Sequence, residues 1–235
     1  MNGNQYFLDG QVVLFNKPYG FSSFAVIKKV RFFTKVKKVG HAGTLDPLAT
    51  GLLIVCTGKY TKKISEYMGM EKEYTGTFTL GATTPTYDLE GQPENFKSIA
   101  HLTEKNIHEA TQLFIGNILQ IPPQFSAIKK DGKRLYQSAR LGIEVKVEPR
   151  KVNISAFTIT KIELPVVHFK VVCSTGTYIR SLANDFGNTL GVGAYMSSLC
   201  RTRIGEFKLD DAFSLQSFET FVQSKKGELT VNVVN

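Results

Sequence analysis

Cysteine is scarce in this chain of 235 residues, which carries three: Cys56, Cys173 and Cys200. An odd, widely spaced set is neither a disulfide framework nor a CxxC zinc pair. Each is expected in a strand as a small apolar residue. No apolar run approaches the roughly 18 residues of a membrane span. The opening Met1-Asn2-Gly3-Asn4-Gln5 has neither the basic nor the apolar region of a secretory signal, so the cytoplasm is the expected compartment. No phosphate-cradling P-loop and no GxGxxG is present, and the four histidines, His41, His101, His108 and His168, are scattered. No metal and no cofactor are expected. The rest is ordinary for a soluble protein: 42% apolar and 21% charged residues, in a chain long enough to bury a large core.

Charge is the unusual quantity. Lys and Arg number 29 against 20 Asp and Glu, a net charge of +9. Such an excess points to a polyanionic partner, nucleic acid or an anionic membrane. The charge is also segregated. Between Asp9 and Asp46 there is no acid, while Lys17, Lys28, Lys29, Arg31, Lys35, Lys37 and Lys38 all fall in that window. A second window, 126–151, has eight cations against three acids, and the stretch between, 71–125, has seven acids against three cations. Segregation of this kind suits a phosphate-binding face. Membrane binding would favour a basic amphipathic helix with bulky anchors. Residues 22–38 can be drawn so, but Phe24, Ile27, Val30 and Phe33 are expected to face a core.

Periodicity predicts strands over 11–15, 52–56, 74–80, 152–164, 166–174 and 196–207, and helices over 22–34, 59–67, 103–114, 134–141, 177–190 and 215–222. Residues 41–51 carry two glycines and a proline and are expected to form a loop. Residues 81–96 read as a turn-rich excursion. Strands and helices alternate without a strict βαβ rhythm, which indicates an α+β fold with a large mixed sheet.

One loop concentrates the candidate chemistry: Gly40-His41-Ala42-Gly43-Thr44-Leu45-Asp46-Pro47-Leu48-Ala49-Thr50-Gly51. Its glycines allow tight turns and close approach of a ligand, and Pro47 biases Asp46 to an extended conformation. Asp46 is either a turn-forming residue or a nucleophile or base on a rigid scaffold. This loop resembles the catalytic loop of the bacterial tRNA pseudouridine-55 synthases, the TruB-type enzymes. Further motifs agree in family order. They are Lys17-Pro18-Tyr19-Gly20-Phe21-Ser22-Ser23; Lys72-Glu73-Tyr74; Leu80-Gly81 with Thr84, Thr86, Asp88 and Gly91; Gln120-Ile121-Pro122-Pro123 with Ser126 to Lys129; Cys173-Ser174 with Gly176 to Leu182; and Leu199 with Arg201, Thr202 and Gly205.

The resemblance implies a pseudouridine synthase fold: a large mixed, mostly antiparallel sheet flanked by helices and loops, with an RNA-binding thumb inserted at about 124–151. The catalytic domain is expected over 1–223 and a polar tail over 224–235, without the accessory PUA domain of many relatives. It further implies isomerisation of uridine-55 in the T-loop of tRNA. The bond from uracil N1 to ribose C1′ breaks, the base turns, and C5 is joined to C1′, with no redox change or metal. Asp46 is implied as the catalytic carboxylate. Attack at the sugar, attack at the ring and proton abstraction from the sugar stay open. Arg180 is implied to keep Asp46 ionised and aimed, and Tyr74 to stack on the uracil. Tyr178 and Leu199 would wall the pocket, and His41 would help the bases rearrange as the uridine leaves the stack. Lys17, Lys129, Lys130 and Lys133 are expected to bind RNA. The expected partner of this monomer is the tRNA T-arm, with no membrane. Two other functions fit a basic protein with a loop carboxylate. A tRNA-folding helper would not need Asp46, Tyr74 and Arg180 together. A base-releasing glycosidase would want a second, water-activating carboxylate, and no motif supplies one.

Overall fold

The computed structural model describes residues 3–230 except 127, 131, 140 and 144. In chain order the elements are α1 (Gly3–Asp9), β1 (Val12–Lys17), α2 (Ser23–Thr34), β2 (Val39–Ala42), β3 (Thr50–Thr57), a 3-10 segment (Gly58–Lys63), α3 (Ile64–Gly69) and β4 (Lys72–Leu80). Then come α4 (Glu104–Gln112), β5 (Gly116–Gln120), β6 (Lys129–Lys130), β7 (Lys133–Arg134), α5 (Leu135–Ala139), β8 (Arg150–Glu163), β9 (Val166–Cys173), α6 (Ile179–Thr189), β10 (Ala194–Ile204), β11 (Phe207–Lys208) and α7 (Leu215–Thr230). The sheet is mixed and mostly antiparallel, with helices against it, as expected. Two compact units divide the chain, Met1–Tyr74 with Cys200–Asn235 and Thr75–Leu199, the boundary falling inside β4 and β10.

In the first unit β3 is the organising strand. It runs antiparallel to β1, from Val12↔Cys56 to Lys17↔Gly51, and antiparallel to β2, from Val39↔Thr57 to Ala42↔Ile54. It is parallel to β10 at Thr50↔Cys200 and at Gly51↔Arg201. Its run from Leu52 to Cys56 is wholly apolar because both faces are covered. Leu53 and Val55 pack with Phe7, Phe15, Val26, Ile27, Val30, Phe218 and Val222. Leu52, Ile54 and Cys56 alternate to the other face, against Ala42, Tyr67 and Ile204. Burying each such side chain contributes about 1.5–3 kcal/mol. Ser22 caps α2 by accepting from the Ala25 N–H at 3.1 Å.

In the second unit the strand order is β10-β4-β9-β8-β5. β8 and β9 form a long antiparallel ribbon from Ile154↔Cys173 to Glu163↔Val166, and β5 adds from Gly116↔Ile154 to Gln120↔Arg150. Phe78, Phe114, Phe157, Phe169 and Phe186 fill the core, with Phe78 stacked on Phe169 at 4.2 Å between ring centroids. Thr103 caps α4 in a reciprocal box with Asn106.

Several expectations are corrected. His41 lies in a strand, β2, because residues 39–42 pair with β3, so the irregular loop is confined to 43–49. The helix expected over 59–67 is split into the 3-10 segment and α3. α1 and β5 were not visible in periodicity. α1 is held by a tertiary contact, Phe7 buried edge-on to Phe218 at 5.9 Å. Phe24 does not face the core but stands 52% exposed, whereas Ile27 and Val30 are buried as expected. The expected tail 224–235 is helical as far as residue 230, and 231–235 lie outside the described residues. In the thumb, the helix expected over 134–141 is shorter, and Ala127, Asp131, Arg140 and Glu144 lie outside the described residues.

Candidate functional site: an anchored carboxylate loop

The 43–49 loop of the first unit is pinned by side chains from three distant parts of the chain. Ser23, in the first turn of α2, is buried; its hydroxyl donates to the Leu45 carbonyl at 3.0 Å and accepts from the Leu45 N–H at 2.9 Å. Lys17, at the end of β1, is fully buried, and its ammonium donates to the carbonyls of Pro18 (3.1 Å), Phe21 (2.6 Å) and Pro47 (3.2 Å). The Pro47 carbonyl also accepts from the Gly20 N–H at 2.9 Å. Arg201, on β10, is buried as well; its Nε donates to the Leu52 carbonyl at 2.7 Å and its Nη2 to the Gly43 carbonyl at 3.1 Å. Gly51 has φ 101°, and a Cβ there would run into the backbone of Arg201. Only glycine permits that close strand approach.

Asp46 sits between the two residues held most tightly, Leu45 and Pro47, and is half-buried. Its backbone carbonyl accepts from the Ala49 N–H at 3.1 Å, which closes the turn. The backbone that carries its carboxylate is therefore fixed by anchors on either side, as a preorganised site requires. Burial lowers the Lys17 ammonium to about 8; the Asp46 carboxylate opposes that shift and Arg201 adds to it. Burial and the Arg201 charge also push the His41 imidazole below its ordinary value, against a backbone hydrogen bond at Gly43. His41 is thus held in its neutral form.

Tyr74 belongs to the same unit and is buried on β4. Around it, β4 and β10 are laced together by side chains. Thr202 Oγ1 donates to Glu73 Oε1 at 2.9 Å, and Arg203 Nη2 to Glu71 Oε1 at 2.8 Å. Lys17 was expected at RNA. Its three ammonium protons all go to carbonyls, so it anchors the loop and has none left for a phosphate.

The other expected residues lie in the second unit. Arg180, in the first turn of α6, is buried; its Nη1 donates to the Thr86 carbonyl at 3.3 Å and its Nη2 to the Phe125 carbonyl at 3.0 Å. Its Nε lies 3.6 Å from Asp88 Oδ2. Asp88 is itself buried and fixed, accepting from Thr86 Oγ1 at 2.6 Å and from the Glu90 N–H at 3.0 Å. The Thr86–Asp88 motif is thus a seat for Arg180. Tyr178, at the N-cap of α6, is gripped by the Gln120 amide, which accepts from the Tyr178 N–H at 2.8 Å and donates to its carbonyl at 3.1 Å. Ser181 Oγ donates to the Ile121 carbonyl at 2.8 Å. Leu199 is buried on β10. In the thumb, β6 and β7 place Lys129 opposite Arg134 and Lys130 opposite Lys133.

Ser23, Asp88, Gln120 and Arg201 had no role assigned from sequence, although every one lies in a motif that carried the resemblance. Nothing local distinguishes them: Ser23, Gln120 and Arg201 serve backbone groups far away in the chain, and Asp88 faces the side chain of Arg180. Among the described residues, no group of three or more His, Cys, Asp or Glu side chains is placed to hold a metal ion. Among the described residues, no helix is long and apolar enough to cross a membrane.

Comparison with known proteins agrees with these motifs. Residues 31–179 match the profile of the TruB family pseudouridylate synthase N-terminal domain, and residues 180–232 that of the tRNA pseudouridylate synthase B C-terminal domain. The chain is 51% identical over 224 residues to tRNA pseudouridine synthase B of Flavobacterium johnsoniae, covering 92% of this chain and 98% of that protein. It is 46% identical over 232 residues to tRNA pseudouridine synthase B of Phocaeicola vulgatus, covering 96% and 99%. Among solved structures it superposes on a chain of a Cbf5-Nop10-Gar1 complex with a TM-score of 0.73 and 29% identity. That match covers 94% of this chain and spans 56% of the other. With motifs, fold and relatives in agreement over nearly its whole length, the chain belongs to the TruB family of pseudouridylate synthases.

Proposed function

We propose that this protein isomerises uridine-55 in the T-loop of tRNA to pseudouridine, with Asp46 as the catalytic carboxylate. The observation that carries this reading is the anchoring of Leu45 and Pro47 on either side of Asp46 by Ser23 and Lys17. A module that only binds RNA has no need of a carboxylate on a loop anchored so firmly. The names of the relatives support the same activity.

The reaction conserves atoms. The N1–C1′ bond breaks, the C5–C1′ bond forms, N1 gains a proton and C5 loses one. A carboxylate can act by stabilising or trapping an electron-poor sugar carbon, as in glycoside cleavage, or by adding to the ring. Arg180, fixed by Thr86, Asp88 and Phe125, is the cation this reading assigns to the reaction. Tyr74 stacks on the uracil, and Tyr178 and Leu199 wall its pocket. His41, held neutral, can exchange hydrogen bonds with bases without adding charge. The target base must leave its stack, at a cost of a few kcal/mol. Phosphate contacts from Lys129, Lys130 and Lys133 in the thumb offset that cost. A cytoplasmic monomer acting on the T-arm fits these parts.

The test is incubation with an unmodified tRNA transcript followed by mapping of pseudouridine. Conversion at position 55 is expected. No conversion, or conversion only elsewhere, would contradict the assignment.

A further inference from the structure

We propose that the outward face of α2 is a second RNA-contact surface, which stacks an unpaired base of the substrate RNA and holds its flanking phosphates. This inference rests on the RNA-modifying reading but concerns a surface that reading does not use. The buried face of α2 is Ser23, Val26, Ile27, Val30 and Thr34. The opposite stripe, at four- and three-residue spacing, is Phe24, Lys28, Arg31, Phe32 and Lys35. Phe24 is 52% and Phe32 is 63% exposed.

Both rings are flanked by cations. Lys28 Nζ lies 5.3 Å and Arg31 Cζ 5.8 Å from the Phe24 centroid, and Lys35 Nζ lies 4.3 Å from that of Phe32. Arg31 is held in place by donating from Nη2 to the Val39 carbonyl at 3.1 Å. A depression of about 570 Å³ opens at the C-terminal end of the stripe, lined by Arg31, Phe32, Lys35, Val36 and Lys37.

The charge there is uncompensated. Residues 10–45 contain no acid, and among the described residues Lys28, Lys35 and Lys37 have no ion-pair partner. The negative end of the α2 dipole favours cations in its last turn, but it gives no reason for two exposed phenylalanines. Aromatic rings interleaved with cations are what sequence-tolerant recognition of unpaired RNA requires: a stacking platform with phosphate contacts beside it. A membrane-surface helix would instead segregate its apolar anchors from its cations. Here they share one stripe.

Position selects the RNA. The N-terminal end of α2 is fastened to the carboxylate loop by the two Ser23–Leu45 hydrogen bonds. From there the 12-residue helix extends about 18 Å. A strand leaving the vicinity of Asp46 along α2 would meet Phe24 first and Phe32 further on.

The test uses two double variants on the exposed face, Phe24→Ala with Phe32→Ala and Lys28→Gln with Lys35→Gln. Affinity is measured for whole tRNA transcript, for a short oligouridylate and for phosphatidylserine-containing vesicles, and the single-turnover rate at saturating tRNA. The phenylalanine variant should bind both RNAs about tenfold more weakly with an unchanged salt dependence. The lysine variant should lower the salt slope by about one to two. Both should keep the wild-type rate at saturation. Wild-type RNA affinity and slope in both variants would overturn the proposal. So would loss of vesicle binding with RNA binding intact, which would make the face a membrane surface. If the wild type makes no pseudouridine yet its RNA binding depends on these side chains, the proposed activity fails and this inference stands. If it converts tRNA and the variants bind normally, this inference alone fails.

Discussion

The loop around Asp46 and the thumb between β5 and β8 are held in opposite ways. The loop's anchors come from afar in the chain: Ser23 and Lys17, 22 and 30 residues from their loop partners, and Arg201, 158 residues from Gly43. The base of the thumb is gripped too. Gln124 Nε2 donates to the Val145 carbonyl at 2.7 Å, and Arg180 donates to the Phe125 carbonyl. Beyond that base the thumb carries two strands of two residues and a helix of five, joined by local bonds such as Leu135 N–H to the Ile128 carbonyl at 2.9 Å. Leu141 and Ile143 are exposed there. Among the described residues, the bonds that hold the loop around Asp46 are long-range and tertiary, whereas those given within the thumb beyond its root are local. Segments with few buried contacts are those that open at the smallest free-energy cost.

The largest effect should follow from cutting the longest anchor. Arg201→Met leaves the Gly43 and Leu52 carbonyls without their donors. Each buried, unsatisfied carbonyl costs about 1–3 kcal/mol, so stability should fall by about 3 kcal/mol and Tm by roughly ten degrees. Calorimetry decides this, and an unchanged Tm would mean that the loop is held by something else.

Lys17 gives a pH-dependent version of the same experiment. Its ammonium loses its proton through about 8 in the folded protein, against 10.5 for an ordinary lysine. Between those values the unfolded chain binds more protons, so this group's contribution to stability rises with pH across that window. Activity should move the other way. A neutral amine has two N–H groups for three carbonyls, so kcat/KM should decline as pH rises through about 8. Stability curves of the wild type and Lys17→Met should separate in the wild type's favour from pH 8 to 10.5. Parallel curves would show that Lys17 does not titrate there.

The smallest effect belongs to the thumb. Neutralising Lys129, Lys130 and Lys133 together should flatten the dependence of RNA affinity on salt by up to about two to three units, with Tm unchanged. An unchanged slope would place the phosphates elsewhere.

The same contrast explains what was legible in the sequence. β3 was readable because an uninterrupted apolar run needs cover on both faces, and α2 and α4 because Ser22 and Thr103 are sound caps. The carboxylate and its loop stood out because the Gly40–Gly51 stretch is so specific. Lys17, in an acid-free window, looks like a phosphate ligand until its burial is known. Arg201, Asp88 and Gln120 were hidden because each serves a partner that only the fold brings near. Phe24 shares its spacing with Ile27 and Val30, but the core-facing stripe of α2 runs through Ser23 instead.

The central claim is that the anchored loop serves chemistry while RNA affinity resides elsewhere. Asp46→Asn tests it most directly, because it removes the carboxylate and leaves every backbone anchor in place. Single-turnover conversion of unmodified tRNA transcript and its dissociation constant should be measured on one preparation at one salt concentration. Conversion should be abolished, with affinity within about tenfold of wild type. Conversion near the wild-type rate, or a loss of affinity large enough to account for the lost conversion, would contradict the account.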